Sequence, residues 1–319
     1  MSMLCYRFPN EEIVRQTGYF DLLSDENVTY QGFIVSNFTQ SLRYGFTVSN
    51  ELTEQFHFTD EEIVQIDQSE YFRGTKTLLQ LMQMIPLMKT VLTRIKCVDF
   101  DESNTEALFS ALLETYPNAL VYLISDPILG TWVGASPELL LRSVGEQGFS
   151  VSLAGTKKSS DFTPWTKKEQ NEQEIVSQFI DQQLTELGSD NIEMIGPYDY
   201  EAGPVKHLRT DFSFRTKLDE MSILKSLHPT PAVSGMPRAL SLEVIENIEE
   251  HERSIYTGYL GILKDGDTKI YVNLRCCQIQ RGKMSLYLGG GFTPDSIPEL
   301  EWEETENKSK TLLDLVQKL

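Results

Sequence analysis

Residues 119–153 read ALVYLISDPILGTWVGASPELLLRSVGEQGFSVSL, and this stretch decides the fold class. Its apolar runs are short: Ala119 to Ile124, Thr131 to Ala135, Leu139 to Arg142 and Phe149 to Leu153. A Pro-Gly turn from Asp126 to Gly130 and the segment Gly145 to Gly148 separate them, which is the punctuation of successive β-hairpins. A second such block lies near the far end, where Tyr259 to Leu263, Lys269 to Ile279 and Met284 to Leu288 are divided by Asp-Gly and Arg-Gly turns. Helical periodicity fills the space between and after the blocks, at roughly Lys168 to Leu187, Arg238 to Glu250 after Pro237, and Glu299 to Lys318 after Pro298. Two antiparallel meanders with intervening helices predict an α+β fold, a single large domain whose two antiparallel β-sheets pack between and against helices.

Working outward, Leu78 to Met84 reads as helix ended by Pro86, and Lys89 to Phe100 alternates like a strand. In that strand Lys89 is in phase with Val91, Ile95 and Cys97, so its amine must be desolvated or must reach a partner. The first seventy residues alternate in short runs such as Gly32 to Val35 and Tyr44 to Val48. They are expected to form a short variable part of the same domain, with residues 71–319 carrying the core and 1–319 making one unit.

Composition narrows the function classes. Apolar residues at 40% and charged residues at 24% describe a chain that folds around a core. The net charge of −19 and the lack of a basic stripe argue against nucleic acid as a partner. No run approaches the roughly 18 apolar residues of a membrane span, and Met1 to Asn10 has no apolar leader core, so a cytoplasmic protein without a membrane partner is expected. Cys5, Cys97, Cys276 and Cys277 have neither CxxC spacing nor a disulfide framework and read as reduced thiols.

Several residues stand out chemically. Glu172 falls in phase with Ile175, Val176, Phe179 and Ile180, and Glu301, Glu304 and Lys308 fall in or beside the apolar face of the last helix. Two inward-leaning helices offering carboxylates suit Mg²⁺, although a solvated acidic face has the same spacing. Gly289-Gly290-Gly291, directly after a strand, either lets backbone approach an anion or simply ends the strand. Arg275 interrupts an apolar strand, facing outward or clamping a carboxylate. Of the histidines, His207 and His228 sit beside apolar residues and turns, and no HExxH or Gly-x-Ser-x-Gly pattern is present.

In order, the pieces Lys89-Thr-Val-Leu-Thr-Arg94, Gly134-Ala-Ser-Pro-Glu-Leu-Leu140, Leu153-Ala-Gly-Thr156, Lys168-Glu-Gln-Asn-Glu-Gln173, His228-Pro-Thr-Pro-Ala232, Glu252-Arg253 with Tyr256 and Gly258, and Gly289-Gly-Gly291 before Glu301-Trp-Glu-Glu-Thr305 and Lys308 resemble the chorismate-utilising enzymes. The resemblance runs from about Arg73 to Leu319. It implies an active site between two antiparallel sheets, with Mg²⁺ bound by Glu172 and Glu304, Glu301 close by, and chorismate as substrate. Arg275, Lys308, Gly289 and Gly291 would hold one substrate carboxylate, and Gly155, Thr156, His228 and Ala232 would add to the substrate walls.

Within that family, Lys89 stands where water-using members carry a lysine base and amine-using members have glutamine. Ala154 stands where aminodeoxychorismate synthases place a nucleophilic lysine. The resemblance therefore implies an isochorismate synthase, with Lys89 as base and Glu138 as acid, serving menaquinone or siderophore biosynthesis. No glutamine amidotransferase subunit and no tryptophan feedback are expected. Salicylate synthase is the nearest alternative and anthranilate synthase component I a more distant one, while a non-catalytic acidic binding protein would be a different class altogether. The segment Lys157 to Pro164 is shorter than the family's usual Arg- and Gly-containing stretch, which implies a different cover over the site.

Overall fold

The computed structural model describes residues 1–24, 30–49, 51, 55–60, 63–202 and 205–319. The opening segment supplies strands β1 (Ser2–Arg7), β2 (Val14–Leu22), β3 (Gly32–Ser36) and β4 (Arg43–Val48). Helix α1 (Gln68–Met82), strand β5 (Lys89–Asp99) and helix α2 (Thr105–Thr115) come next. The first meander is β6 (Leu120–Asp126), β7 (Gly130–Ser136), β8 (Leu139–Val144) and β9 (Gln147–Lys158), followed by helix α3 (Lys167–Glu186). Strands β10 (Asp190–Ala202) and β11 (Val205–Arg215), helix α4 (Glu220–Leu227), strand β12 (Gly235–Met236) and helix α5 (Arg238–Ile248) lead to the second block. That block is β13 (Tyr259–Leu263), β14 (Lys269–Val272), β15 (Cys276–Gln280) and β16 (Lys283–Phe292), and helix α6 (Pro298–Val316) closes the chain.

Every pairing between these strands is antiparallel. The fold is α+β, and the two expected sheets are the two halves of one sixteen-stranded ladder. One half runs β10, β11, β9, β8, β14, β13, β3, β4, and the other runs β2, β1, β6, β7, β15, β16, β5, β12. They join through β2, which pairs with β1 from Val14 to Gly18 and with β4 from Gly18 to Leu22. A Cβ on Gly18 would lie 2.0 Å from the Thr47 carbonyl oxygen, so glycine at this change of partner permits the close backbone approach of the bend.

The strand alternation explains the layers. On β1 and β6, Leu4, Tyr6, Leu120, Tyr122 and Ile124 point inward and meet Phe33, Val35 and Leu260 of the other half. Their neighbours Met3, Cys5, Val121 and Leu123 point outward beneath Leu108 and Leu112 of α2 and Leu312 and Leu315 of α6. On the other half, Leu141, Phe212, Phe214 and Ile270 pack outward against Val176, Ile180 and Leu184 of α3 and Leu224 of α4. Both faces of each half are therefore covered.

Helix α1 begins earlier than the apolar pattern suggests because Asp67 and Glu70 form a capping box. The expected strand Lys269 to Ile279 is broken in two at Asn273–Arg275, and α2, α4 and the β10–β11 pair lie beyond the elements that periodicity marked. No helix among the described residues is long and apolar enough to cross a membrane.

Candidate active site

Where the inward faces of the two halves diverge, the packing opens into a cavity with about 920 Å³ of empty space including its mouth. Strands β5 and β16 form one wall, β9 and β11 the opposite one, and α3 and α6 contribute Glu172, Glu304 and Lys308.

Lys89 starts β5, is 3% exposed and lines the cavity. Its register holds it beside Met236 of β12, and burial pulls its ammonium below the ordinary lysine range against the opposing pull of Glu172. Glu138 sits in the connection between β7 and β8, fixed because its carbonyl accepts from the Val272 N–H at 3.0 Å. It too is 3% exposed, and its Oε1 has no hydrogen-bond partner. Burial lifts its carboxyl to about 8, with Lys89, Arg275 and Lys308 opposing. One cavity thus holds a lysine shifted toward the free amine and a glutamic acid that keeps its proton at neutral pH.

The wall made by the helices keeps its charges paired. A capping box of Thr166 and Glu169 starts α3, and Gln173 donates to Ser152 Oγ at 2.8 Å and Thr210 Oγ1 at 3.0 Å, pinning the helix to β9 and β11. That pinning turns Glu172 toward the cavity, 7% exposed, with Lys168 Nζ 3.5 Å from its Oε1. On α6, Glu304 pairs with Lys308 at 2.7 Å, and Lys308 Nζ donates to the Gly289 carbonyl at 2.8 Å. Burial raises the Glu304 carboxyl, but Lys308, Lys168 and Arg275 together outweigh it and the net shift is downward. Glu301 lies behind the cavity wall, 2% exposed, accepting a short hydrogen bond from Lys168 through Oε1 while its Oε2 has no partner.

The three glycines are the last turnless part of β16 rather than a loop after it, because they pair in register with Val91, Leu92 and Thr93. Alternation sends Gly289 and Gly291 toward the cavity and Gly290 toward α1 and α6. A Cβ on Gly291 would stand 3.2 Å from both Glu172 Oε1 and Lys89 Cε, so a side chain there would fill the space between Lys89 and Glu172.

Arg275 is not within a strand. It lies in the break between β14 and β15 at a φ of 51°, a conformation unusual for a residue with a side chain, and its guanidinium reaches the cavity with Nη1 unpartnered. Gly155, at a φ of 66°, and Thr156 line the opposite wall, where a Cβ on Gly155 would meet Trp165 at 2.9 Å. Ala232 lines the cavity, and so does Ala154.

His228 does not line the cavity. Its ring is buried against Tyr259, and its Nε2 lies 3.1 Å from the Phe38 carbonyl, so it is spent on packing. The histidine that does face the cavity is His207, which the sequence marks only by its apolar and turn neighbours. His207 Nδ1 donates to the Gly155 carbonyl at 2.6 Å, which leaves Nε2, without a protein partner, as an acceptor. Burial, aided by Arg275, drops its pKa to about 3, so the ring is neutral. Tyr256 is a second cavity residue. Arg94 and Arg253 of the motif pieces are structural ties. Arg94 bonds Thr305 at 2.8 Å, pairs with Glu306 and stacks on Trp302, whereas Arg253 pairs with Glu249 and donates to the Val91 and Val233 carbonyls.

Among the described residues, no group of three or more His, Cys, Asp and Glu side chains forms a cage sufficient in itself for a metal ion. The donor set still fits a hard cation that keeps waters and substrate oxygens, because Glu172 and Glu304 face a cavity and Glu172 Oε1 is buried without a hydrogen bond.

A profile of the chorismate binding enzyme family matches residues 34–317. The chain belongs to that family. Among its relatives, isochorismate synthase EntC of Escherichia coli is 29% identical over 241 residues, covering 71% of this chain and 62% of that protein. The solved structure of DhbC from Bacillus anthracis superposes with a TM-score of 0.83 at 24% identity, covering 99% of this chain and 96% of that one. The menaquinone-specific isochorismate synthase MenF of Escherichia coli gives 0.82 at 21%, covering 99% and 89%. The family member described here spans 56% to 66% of the length of the curated isochorismate synthases it matches.

Proposed function

We propose that this chain is an isochorismate synthase, an isomerase that adds water at ring C2 of chorismate and expels the C4 hydroxyl. The observation that carries the reading is the cavity that holds both buried Lys89, shifted toward the free amine, and buried Glu138, shifted to about 8. The family membership and relatives named isochorismate synthases support it.

In the proposed sequence, Lys89 takes a proton from water as the water oxygen bonds to C2. The two ring double bonds shift, the C4–oxygen bond breaks, and Glu138 gives its proton to the departing hydroxyl, which leaves as water. Lys89 ends as ammonium and Glu138 as carboxylate, and return of one proton between them through solvent resets the site. Each such acid or base typically contributes roughly 10² to 10⁴ in rate. Glu138 can act as the acid because burial without a hydrogen-bond partner on Oε1 keeps it protonated.

A dianionic substrate needs anchors in an acidic protein. Arg275 and Lys308 supply cationic groups, and the side-chain-free strip at Gly289 and Gly291 permits close approach. Gly155, Thr156 and Ala232 would complete the walls, and His207 Nε2 offers an acceptor for a substrate hydroxyl. Glu172 and Glu304 would hold Mg²⁺, with Glu301 in support. When bound, the ion supplies charge neutralisation and orientation of a substrate carboxylate. Residues 1–319 would act as one catalytic unit, without an amidotransferase, in the cytoplasm.

The test is incubation of the purified protein with chorismate and Mg²⁺ and separation of the products. Isochorismate is expected. Salicylate with pyruvate would replace the reading with a salicylate synthase, and unconsumed chorismate would overturn it.

A further inference from the structure

Lys168 is out of place by helix rules. It lies in the first turn of α3, where the helix dipole disfavours a cation, and it precedes Glu172 by four residues, the weaker orientation for a helical ion pair. The capping box beside it is complete without it, since Thr166 and Glu169 satisfy each other. What holds Lys168 is tertiary. Its ammonium donates to Glu301 Oε1 on α6 and stands 3.5 Å from Glu172 Oε1 on its own helix. Glu301 Oε2 has no hydrogen bond, and Glu172 Oε1 makes none either, the ammonium standing at ion-pair distance only.

Three carboxylates, Glu172, Glu301 and Glu304, are thereby balanced by two ammonium groups, Lys168 and Lys308, in a largely buried wall. Without Lys168, two of those carboxylates would face each other across the helices unpaired, which is costly at such burial. The lysine side chain is 29% exposed, so it is not sealed within the core.

Building on the reading that Glu172 and Glu304 hold a divalent cation, we propose that Lys168 is an internal counter-cation, occupying the electrostatic place of the metal in the cation-free enzyme and leaving Glu172 when the metal binds. A doubly charged ion competes successfully with one ammonium for the same oxygens. At Glu172 the exchange replaces one positive charge by two, which favours the two carboxylates of the substrate. Lys168 therefore weakens cation binding to the free enzyme and couples it to substrate arrival. It is a positioning residue, since it acts on Glu172 rather than on the reacting atoms.

Titration with Mn²⁺ alone, followed by calorimetry and by the electron-spin signal of free Mn²⁺, tests this on the parent, Lys168→Met, Lys168→Gln and Lys168→Arg. Methionine keeps the length without the charge, glutamine can keep a hydrogen bond to Glu301, and arginine keeps the charge. Met and Gln variants should bind Mn²⁺ at least about ten-fold more tightly than the parent, within the usual range of coupling between sites. The Arg variant should stay near the parent. Circular dichroism checks folding, and if one neutral variant does not fold the other carries the comparison. Unchanged or weaker binding in the neutral variants, with the parent binding Mn²⁺, overturns the proposal and leaves the metal reading standing. Absence of Mn²⁺ binding in all four, with turnover unaffected by chelator, overturns both.

Discussion

The two ends of the cavity bury ionisable groups by opposite means. At the end proposed to react, Lys89 and Glu138 are withdrawn from water, and desolvation pushes both toward their neutral forms. At the end proposed to anchor the substrate, Glu172, Glu301, Glu304, Lys168 and Lys308 are packed into ion pairs. There the cations outweigh burial at Glu304, and the three carboxylates hold Lys168 well above the ordinary lysine range although burial pulls it down. The same physical cost is met in one place by shifts toward the neutral forms and in the other by pairing charge. In the proposed reaction, proton transfer is served by groups shifted toward their neutral forms, whereas holding a dianion is served by permanent charge.

The largest effect should come from removing the divalent cation proposed for Glu172 and Glu304. Chelation is expected to abolish turnover and added Mg²⁺ to restore it, and full activity in EDTA would end the metal's role. Next comes the reacting end. Lys89→Gln should lower isochorismate formation at saturating chorismate and Mg²⁺ by roughly 10² to 10⁴, with binding largely kept because the anchors are untouched. A rate within a few-fold of the parent would show that another group is the base. Glu138→Gln should cost at least about 10² in turnover by the same logic.

The pH dependence sharpens the contrast further. Glu138 must be protonated to act, so activity should fall as pH rises through about 8, and Lys89 must be free amine, so activity should rise from the acid side. Burying Glu138 raises its folded pKa above the unfolded value. Its contribution to stability is therefore fully present below the ordinary glutamate range and is lost as pH climbs toward about 8. Glu138→Gln cannot ionise, so its melting temperature relative to the parent should be higher at pH 9 than at pH 5, by roughly a few degrees. A constant difference across pH would mean that the carboxyl titrates normally. The smallest effect is steric. Gly291→Ala places a methyl group 3.2 Å from Glu172 Oε1 and Lys89 Cε, and a rise in KM of about ten-fold is expected, read by steady-state kinetics.

Much of this architecture was visible in the chain itself. The hairpin punctuation marked β6 to β8 and the first part of β9, which runs on to Lys158, and the apolar stripes located α3 and α6 within a residue or two. Glu172 could be assigned to a buried face because helical phase is a local property. His207 and His228 could not be told apart, since both sit among apolar neighbours and only the packed strands show that one faces a cavity and the other Tyr259. The apolar neighbours of Arg275 predict a strand, yet the chain turns there.

By itself, the sequence determined which segments alternate, which carry a stripe, and which residue types stand ready for acid, base and ion pairing, because these follow from periods of two and 3.6 residues. Only the tertiary structure decided who meets whom. The pairing of β16 with β5 brings Gly291 against Val91, and α6 reaches across to α3 so that Glu301 finds Lys168, contacts between residues far apart along the chain. No local pattern encodes such meetings. They are set by the order of strands in the folded ladder, which minimises exposed apolar surface over the whole molecule at once.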